Sequence, residues 1–124
     1  MKLHLTHAAG NQLITGYDER WIEINQARHL KSLIVLPDRL ITDWEVPDFG
    51  SLTTTHFEQL ALLKPEVVLL GTGETQRFIH PRLGCALTDA GVGIECLSTA
   101  AACRTYNFLM AEGRNVIAAL IIQS

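Results

Sequence analysis

A glycine-rich segment, Gly71-Thr72-Gly73, directly follows an apolar run in the second half of the chain. Glycines at the end of a strand allow backbone N–H groups to face a crevice, where they can contact an anion or a partner. A dinucleotide-binding fingerprint would need a third glycine where Gln76 stands, and no Gly-Lys-Ser/Thr phosphate-loop sequence follows. The segment is therefore either a tight turn or part of a binding surface, and the sequence leaves both readings open.

Arg104 and Asn107 are the second group of candidate residues, because they stand three places apart on a predicted helix that is otherwise apolar. An arginine can direct two donors onto a carboxylate or a phosphate. It can equally hold a neighbouring loop through carbonyl groups, or pair with Glu95 or Glu112. If the glycine segment and this helix face line one cleft, the candidate binding residues are Gly71, Thr72, Gly73, Arg104 and Asn107.

A catalytic group is not evident in the sequence. Cys85, Cys96 and Cys103 have no histidine at motif spacing, and a cysteine nucleophile needs a neighbouring base. A zinc site would need close pairs of soft or imidazole ligands, which the spacing does not provide. We therefore expect no catalytic residues, no metal and no cofactor, and we expect reduced, largely buried thiols. Whether the chain is an enzyme stays open, with the balance against it.

Composition restricts the class of protein further. The chain has 124 residues with 48% hydrophobic content, which predicts a single domain over residues 1–124. A formal charge of -3 without a basic block argues against nucleic-acid binding. The N-terminus has no apolar leader, and the longest apolar stretches are too short to span a bilayer. We expect a cytoplasmic protein without membrane insertion. A homodimer is a further possibility, since two-fold pairs are the commonest small assemblies.

The first half of the chain alternates apolar and polar residues, a pattern typical of strands. Residues 12–16 and 21–25 flank a polar turn at 17–20, which predicts a β-hairpin with one buried face. Residues 32–36 form a continuous apolar run that suits a strand covered on both faces. Residues 40–44 predict another short strand.

The second half alternates strands with helices. Capping residues, prolines and glycines mark the boundaries of these elements. The predicted order is a helix capped within residues 53–55 and stopped by Pro65, a strand at 67–70, a helix from Pro81 to about Ala90, a strand at 93–97, a helix from Ala100 to Glu112 and a strand at 115–122. This order predicts an α/β domain whose mixed β-sheet carries helices on its faces, with an N-terminal β-hairpin.

The second half also resembles a known family. The segments that carry the resemblance are the Gly71-Thr72-Gly73 turn, residues 91–95, residues 98–109 and residues 112–120, and Leu40 to Trp44 adds to it. The most specific stretch is Ala-Ala-Cys-Arg-Thr-Tyr-Asn at residues 101–107. Together they resemble domain-of-unknown-function family 498, and the likeness covers nearly the whole chain.

The resemblance implies a three-layer α/β fold with a central mixed sheet and no established enzyme activity. Mitochondrial members of the family help to assemble respiratory complex I, whereas the bacterial members have no settled role. We therefore expect a non-enzymatic binding or assembly module with an unknown protein partner. The alternative is a protein or enzyme that takes a small anionic ligand, with the Gly71 to Gly73 amides and Arg104 as its binding groups.

Overall fold

The computed structural model describes residues 11–123. Its first part is a three-stranded antiparallel sheet of β1 (Ile14–Tyr17), β2 (Ile22–Ile24) and β3 (Ala27–His29). The buried residues of this small sheet are isoleucines on one face, in keeping with the alternating sequence pattern. The predicted absence of an apolar leader concerns the first residues of the chain, which lie outside the described range.

The second sheet has five strands and is mixed. Its members are β4 (Leu33–Leu36), β5 (Arg39–Ile41), β6 (Val67–Gly71), β7 (Gly93–Leu97) and β8 (Val116–Leu120), in the spatial order β5-β4-β8-β6-β7. Strands β6, β7 and β8 are parallel, while β4 is antiparallel to both β5 and β8. The carboxyl ends of the three parallel strands therefore meet at one edge of the sheet.

Among residues 11–123, three helices accompany the sheet: α1 (Thr54–Leu62), α2 (Cys85–Asp89) and α3 (Thr99–Ala111). A 3-10 turn at Phe49–Ser51 precedes α1. Helix α3 begins at a Ser98 cap, whose hydroxyl accepts a hydrogen bond from the Ala101 N–H at 3.2 Å. The cap satisfies one of the N–H groups that every helix start leaves without an intrahelical partner.

The helices lie on opposite faces of the five-stranded sheet and produce three layers. Phe57 of α1 and Leu87 of α2 belong to one apolar core, together with Val68 of β6. Tyr106 of α3 belongs to the other core, which also holds Leu69 of β6 and the isoleucines of the small sheet. The right-handed crossover rule accounts for this arrangement. The connection from β6 to β7 moves across the sheet in one direction and the connection from β7 to β8 moves back in the other, so right-handed crossovers place their helices on opposite faces.

The predicted three-layer α/β architecture, with its mixed sheet and N-terminal hairpin, is confirmed. Two boundaries were wrong. The helix expected from Pro81 begins only at Cys85, after a turn, and the strand expected over 40–44 ends at Ile41. Trp44, outside any strand, is nevertheless buried in the core. In both places the chain packs against the core outside regular helix or strand.

Strand β3 was not predicted from the sequence. It pairs with β2 across a two-residue turn at Asn25 and Gln26, whose φ angles are 47° and 75°. Two consecutive positive φ values are typical of the tight turn that matches the twist of a hairpin. The usual signal for that turn is a glycine, and Gln26 does not supply it.

Among residues 11–123, no helix is both long enough and apolar enough to cross a lipid bilayer.

Candidate functional site

A cavity of about 410 Å³ lies at the carboxyl ends of β6 and β8. We call it the turn–loop cavity, because the β1–β2 turn and the glycine segment form two of its walls. Its volume is within the range of small-ligand sites, and its position follows the rule that α/β sheets bind ligands beyond their carboxyl edge. The residues that line it are Tyr17, Asp18, Glu19, Arg20, Gly73, Glu74, Thr99, Ala100, Ile121, Ile122 and Gln123.

Thr99 joins the walls of the cavity. Its backbone N–H donates to the Gly73 carbonyl at 2.8 Å, and its hydroxyl accepts from the Gly73 N–H at 2.9 Å. The same hydroxyl donates to the Ile121 carbonyl at 2.8 Å. One side chain thus ties the glycine segment, the start of α3 and the chain after β8 to one another. This wall of the cavity is consequently well fixed.

The glycines are required by close packing and by backbone conformation. A Cβ at Gly71 would lie 3.0 Å from the Thr99 Cα and 3.0 Å from a Leu120 methyl group, so only glycine lets α3 approach β6 this closely. Gly73 has a φ of 109°, a value that favours glycine. The glycine segment is therefore a tight turn that also forms a cavity wall.

Thr72, between the two glycines, is buried and fully engaged within the protein. Its N–H donates to the Leu97 carbonyl at 2.8 Å, and its hydroxyl lies 2.7 Å from the Thr75 carbonyl. The hydroxyl also accepts from the Arg77 N–H at 3.0 Å. Since the Gly73 N–H is bonded to Thr99, the Thr72 and Gly73 amide donors both have partners inside the protein.

The rim of the cavity is acidic. Asp18 and Glu19 of the β1–β2 turn and Glu74 of the glycine segment contribute three carboxylates, against the single guanidinium of Arg20. The pKa of Glu19 is raised above its ordinary value, chiefly because its carboxyl group shares a hydrogen bond with Glu74 and is repelled by the Glu74 charge. Two carboxyl groups from different parts of the chain therefore face each other across the opening.

Arg104 is exposed on α3 and lies just outside the cavity. Its Nη1 donates a hydrogen bond to the Tyr17 hydroxyl at 2.9 Å. Within the described chain it forms no ion pair, and Glu95 and Glu112 are not its partners. Tyr17 lines the cavity, so Arg104 reaches the site through this phenol and connects the β1–β2 turn to α3.

Asn107 has a bracing position further along α3. Its Oδ1 accepts from the Ile14 N–H at 3.0 Å, and its Nδ2 donates to the Ile14 carbonyl at 2.7 Å. The neighbouring Tyr106, fully buried, donates its hydroxyl proton to the Gln12 carbonyl at 2.7 Å. These bonds hold β1 against α3 and so position the turn that follows β1.

The cysteines do not meet at the cavity. Cys103 is buried, and burial raises the pKa of its thiol to about 12, with a smaller opposing effect from Arg104. Cys85 is exposed and Cys96 is partly buried, so the expectation of largely buried thiols was wrong for Cys85. No group of histidine, cysteine, aspartate and glutamate side chains in residues 11–123 is arranged to hold a metal ion.

A smaller cavity of about 270 Å³ opens beside Trp44 and is lined by Lys31, Glu45 and Ile122 among others. The Trp44 indole N–H is buried and has no hydrogen-bond partner in the described structure. The ring packs edge-to-face with His56, at 6.0 Å between centroids. This cavity has fewer charged groups and no counterpart to the glycine wall.

Of the five residues selected from the sequence, only Gly73 lines the turn–loop cavity. Gly71 and Thr72 lie behind it, Arg104 contacts it through Tyr17, and Asn107 is bonded to Ile14. The sequence predicted a polar turn at residues 17–20, but it did not predict that this β1–β2 turn forms a wall of the cavity. Nothing in the sequence indicated that this turn folds over the glycine segment.

Comparison with known proteins places the chain in a family. The family model described as "Protein of unknown function (DUF498/DUF598)" matches residues 14–121. A human relative, named NADH dehydrogenase [ubiquinone] 1 alpha subcomplex assembly factor 3, is 34% identical over 116 residues, which are 92% of this chain and 62% of the relative. The bovine protein of the same name is 33% identical over 110 residues, 87% of this chain and 59% of the relative. The chain thus spans about three fifths of the length of these curated relatives.

Solved structures show the same fold. A protein of Bordetella parapertussis superposes with a TM-score of 0.86 at 38% identity, covering 91% of this chain and 97% of that one. A Bordetella pertussis protein described as a Mth938-like domain gives a TM-score of 0.84 at 32% identity, covering 100% of this chain and 94% of the other. From the family match over residues 14–121 and these relatives, the chain belongs to the DUF498/DUF598 family.

Proposed function

We propose that this chain is a non-enzymatic binding module of the assembly type, which holds a protein partner at the turn–loop cavity. The observation that carries the proposal is the cavity itself. Four separate parts of the chain build it, and its rim consists of exposed polar side chains next to a fixed wall. Such a surface suits recognition by contact, since several polar groups converge on one concave opening.

The relatives support the assembly part of the proposal. The curated animal relatives bear the name of an assembly factor of a respiratory complex, and the chain is about one third identical to them. Assembly factors act by binding other polypeptides, so a protein partner is the occupant that these names favour. Which polypeptide this chain binds is a separate question that the names of relatives do not answer.

Within the module we assign different roles to the five residues selected from the sequence. Gly73 contacts the occupant as part of the wall, while Gly71 and Thr72 hold that wall in place. Arg104 positions the Tyr17 phenol beside the occupant. Asn107 fixes β1 and therefore the start of the β1–β2 turn.

Site-specific photo-crosslinking tests the proposal. A benzophenone amino acid replaces Tyr17 at the cavity, and a matched variant carries it at Leu62, whose side chain is 78% exposed on α1 and does not line the cavity. In cells of the source organism, the Tyr17 variant should give one dominant crosslinked protein that the Leu62 variant does not give. Equal yields and identical products from both positions would exclude the cavity as the partner's site.

The second candidate function, a small anionic ligand, has one observation in its favour: Arg20 and Arg104 lie at or beside the cavity. The Thr72 and Gly73 amides, however, already donate within the protein. Thermal-shift measurements with nucleotides, acyl compounds and inorganic phosphate distinguish the two. A true ligand at a hundredfold excess over its Kd stabilises by about 2.7 kcal/mol, and the shift should vanish in Arg104→Ala. A shift of that kind without any crosslinked protein would favour the ligand function.

A further inference from the structure

We infer that the turn–loop cavity takes the side chain of a lysine or arginine from the partner polypeptide. The charged head of that side chain lies between the β1–β2 turn and Glu74, and its aliphatic stem lies along the apolar part of the cavity lining. This inference deepens the proposed function and rests on it, because it names the chemistry that the partner presents.

The charge of the lining groups is the first reason. Asp18, Glu19 and Glu74 are exposed at the rim, and Arg20 is the one cation among the lining residues. The three carboxylates outnumber the guanidinium of Arg20 and that of Arg104 just outside the cavity, which leaves net negative charge at the opening and concentrates cations there. Complementary charge across an interface raises association rates and excludes partners of the wrong sign.

The relation between Glu19 and Glu74 is the second reason. Both carboxyl groups line one opening although they come from separate segments, and the pKa of Glu19 is raised by its hydrogen bonding with Glu74 and by repulsion from the Glu74 charge. A cation placed between them replaces this repulsion with two attractions. An ammonium has three donors and a guanidinium has five, so either can bond to both carboxylates at once.

The apolar part of the cavity lining is the third reason. Ala100, which is partly exposed, contributes to it, together with small areas of Ile121 and Ile122 after β8. Lysine and arginine bury their methylene stems along apolar surface and keep the charged head in a polar setting. A cavity of about 410 Å³ with a partly apolar lining and an acidic rim matches this division along one side chain.

A titration followed by two-dimensional amide NMR tests the inference on the full chain. The probes are Nα-acetyl-lysine methylamide, its norleucine counterpart with the same stem but no charge, and inorganic phosphate. The lysine probe should move the amide signals of Gly73, Glu74 and Ala100 in a saturable way at millimolar concentration. Norleucine should bind much more weakly, and phosphate should leave these signals in place.

Variants identify the groups responsible. Glu19→Gln and Glu74→Gln should each raise the Kd for the lysine probe by roughly fivefold or more, because each removes one charge from the rim. Glu58→Gln, an exposed carboxylate on α1, is the matched control and should leave the Kd unchanged. The amide spectra of all three variants also report directly that the fold is retained.

The outcomes separate this inference from the proposed function. If the benzophenone at Tyr17 captures a partner while the lysine probe moves no cavity signal at tens of millimolar, the module stands and the cationic occupant is wrong. Equal binding of norleucine would mean an apolar occupant, and binding of phosphate would mean an anionic one. Either result would overturn the inference. If capture fails at Tyr17 while lysine binds, the cavity binds a cationic side chain but is not the partner's site.

Discussion

Asn107 of α3 forms two hydrogen bonds with the backbone of Ile14 in β1, the same two that a neighbouring strand would form. Its side-chain carbonyl accepts from the Ile14 N–H at 3.0 Å, and its amide donates to the Ile14 carbonyl at 2.7 Å. The other edge of β1 is paired with β2, so the carboxamide closes part of the edge that would otherwise stay open. A helix side chain therefore attaches the small sheet to the main domain.

The first prediction concerns this attachment. Asn107→Leu removes both bonds and leaves a backbone donor and acceptor of Ile14 without partners, which should lower the free energy of unfolding by about 1–3 kcal/mol. Denaturant titration measures the change. Phe108→Ala is the matched control on the same helix, because Phe108 is 63% exposed, and it should change stability by less than about 0.5 kcal/mol. Equal effects of the two substitutions would contradict the bracing role of Asn107.

The second prediction compares two glycines that both lie in parallel strands. At Gly71 an added Cβ meets the Thr99 backbone at 3.0 Å, whereas at Gly93 the nearest atom is 3.8 Å away in the Val67 side chain. Gly71→Ala should therefore destabilise by about 1–3 kcal/mol through overpacking, and Gly93→Ala should be nearly neutral. Thermal unfolding of both variants provides the measurement. A neutral Gly71→Ala would mean that α3 can move away from β6 at little cost.

The third prediction concerns Arg104 and Tyr17. Their hydrogen bond is exposed, so Arg104→Ala and Tyr17→Phe should each change the free energy of unfolding by less than about 0.5 kcal/mol. Both should increase amide hydrogen exchange in the β1–β2 turn, and the double variant should exchange no faster than either single variant. A large loss of stability in Arg104→Ala would instead identify this residue as part of the scaffold.

The fourth prediction is a loss of stability at alkaline pH. The folded state holds the Cys103 thiol proton up to a pKa of about 12, whereas the unfolded chain releases it near the ordinary value of 9.0. Between these values the native state binds more protons, so stability falls as pH rises, by up to about 1.4 kcal/mol per pH unit for one group. Burial also raises the pKa of Tyr106, which steepens the fall above pH 10.

Urea titrations between pH 8 and 11 check the fourth prediction. The comparison is with Cys103→Ala, which keeps the small apolar site but removes the thiol. Its stability should decline less steeply than that of the parent chain between about pH 9 and 10. Identical slopes for the two proteins would show that the thiol does not contribute.

The sequence predicted the parts of the fold in which local signals and tertiary packing agree. The apolar run at 33–36 lies between two cores, and the Ser98 cap and Gly113 bound a long helix as expected. Gly113 has a φ of 79°, which suits the position after a helix. Strand β3 was missed because its turn lacks glycine, and the helix after Pro81 was predicted too long because residues 81–84 form a turn and Gly84, with a ψ of 10°, is not helical.

The candidate site was predictable only in part, for a physical reason. The glycine segment is marked by local sequence, but the wall opposite it comes from residues about 55 positions earlier along the chain, by count from Asp18 to Gly73. Periodicity describes faces of one element and contains no information on which loop lies over which. Thr99 illustrates the same point, because the sequence indicated a helix cap and the structure gives it three bonds to two other segments.

The position of β8 has a consequence for how the domain folds. The β4–β5 hairpin and the β6–β7 pair do not touch through backbone pairing, and β8 joins them by bonding to β4 on one side and to β6 on the other. During synthesis at the ribosome, the two pairs therefore emerge as separate pieces with exposed edges, and this sheet closes only after β8 has left the exit tunnel. Until that moment the nascent chain offers its inner edges to chaperones or to other chains.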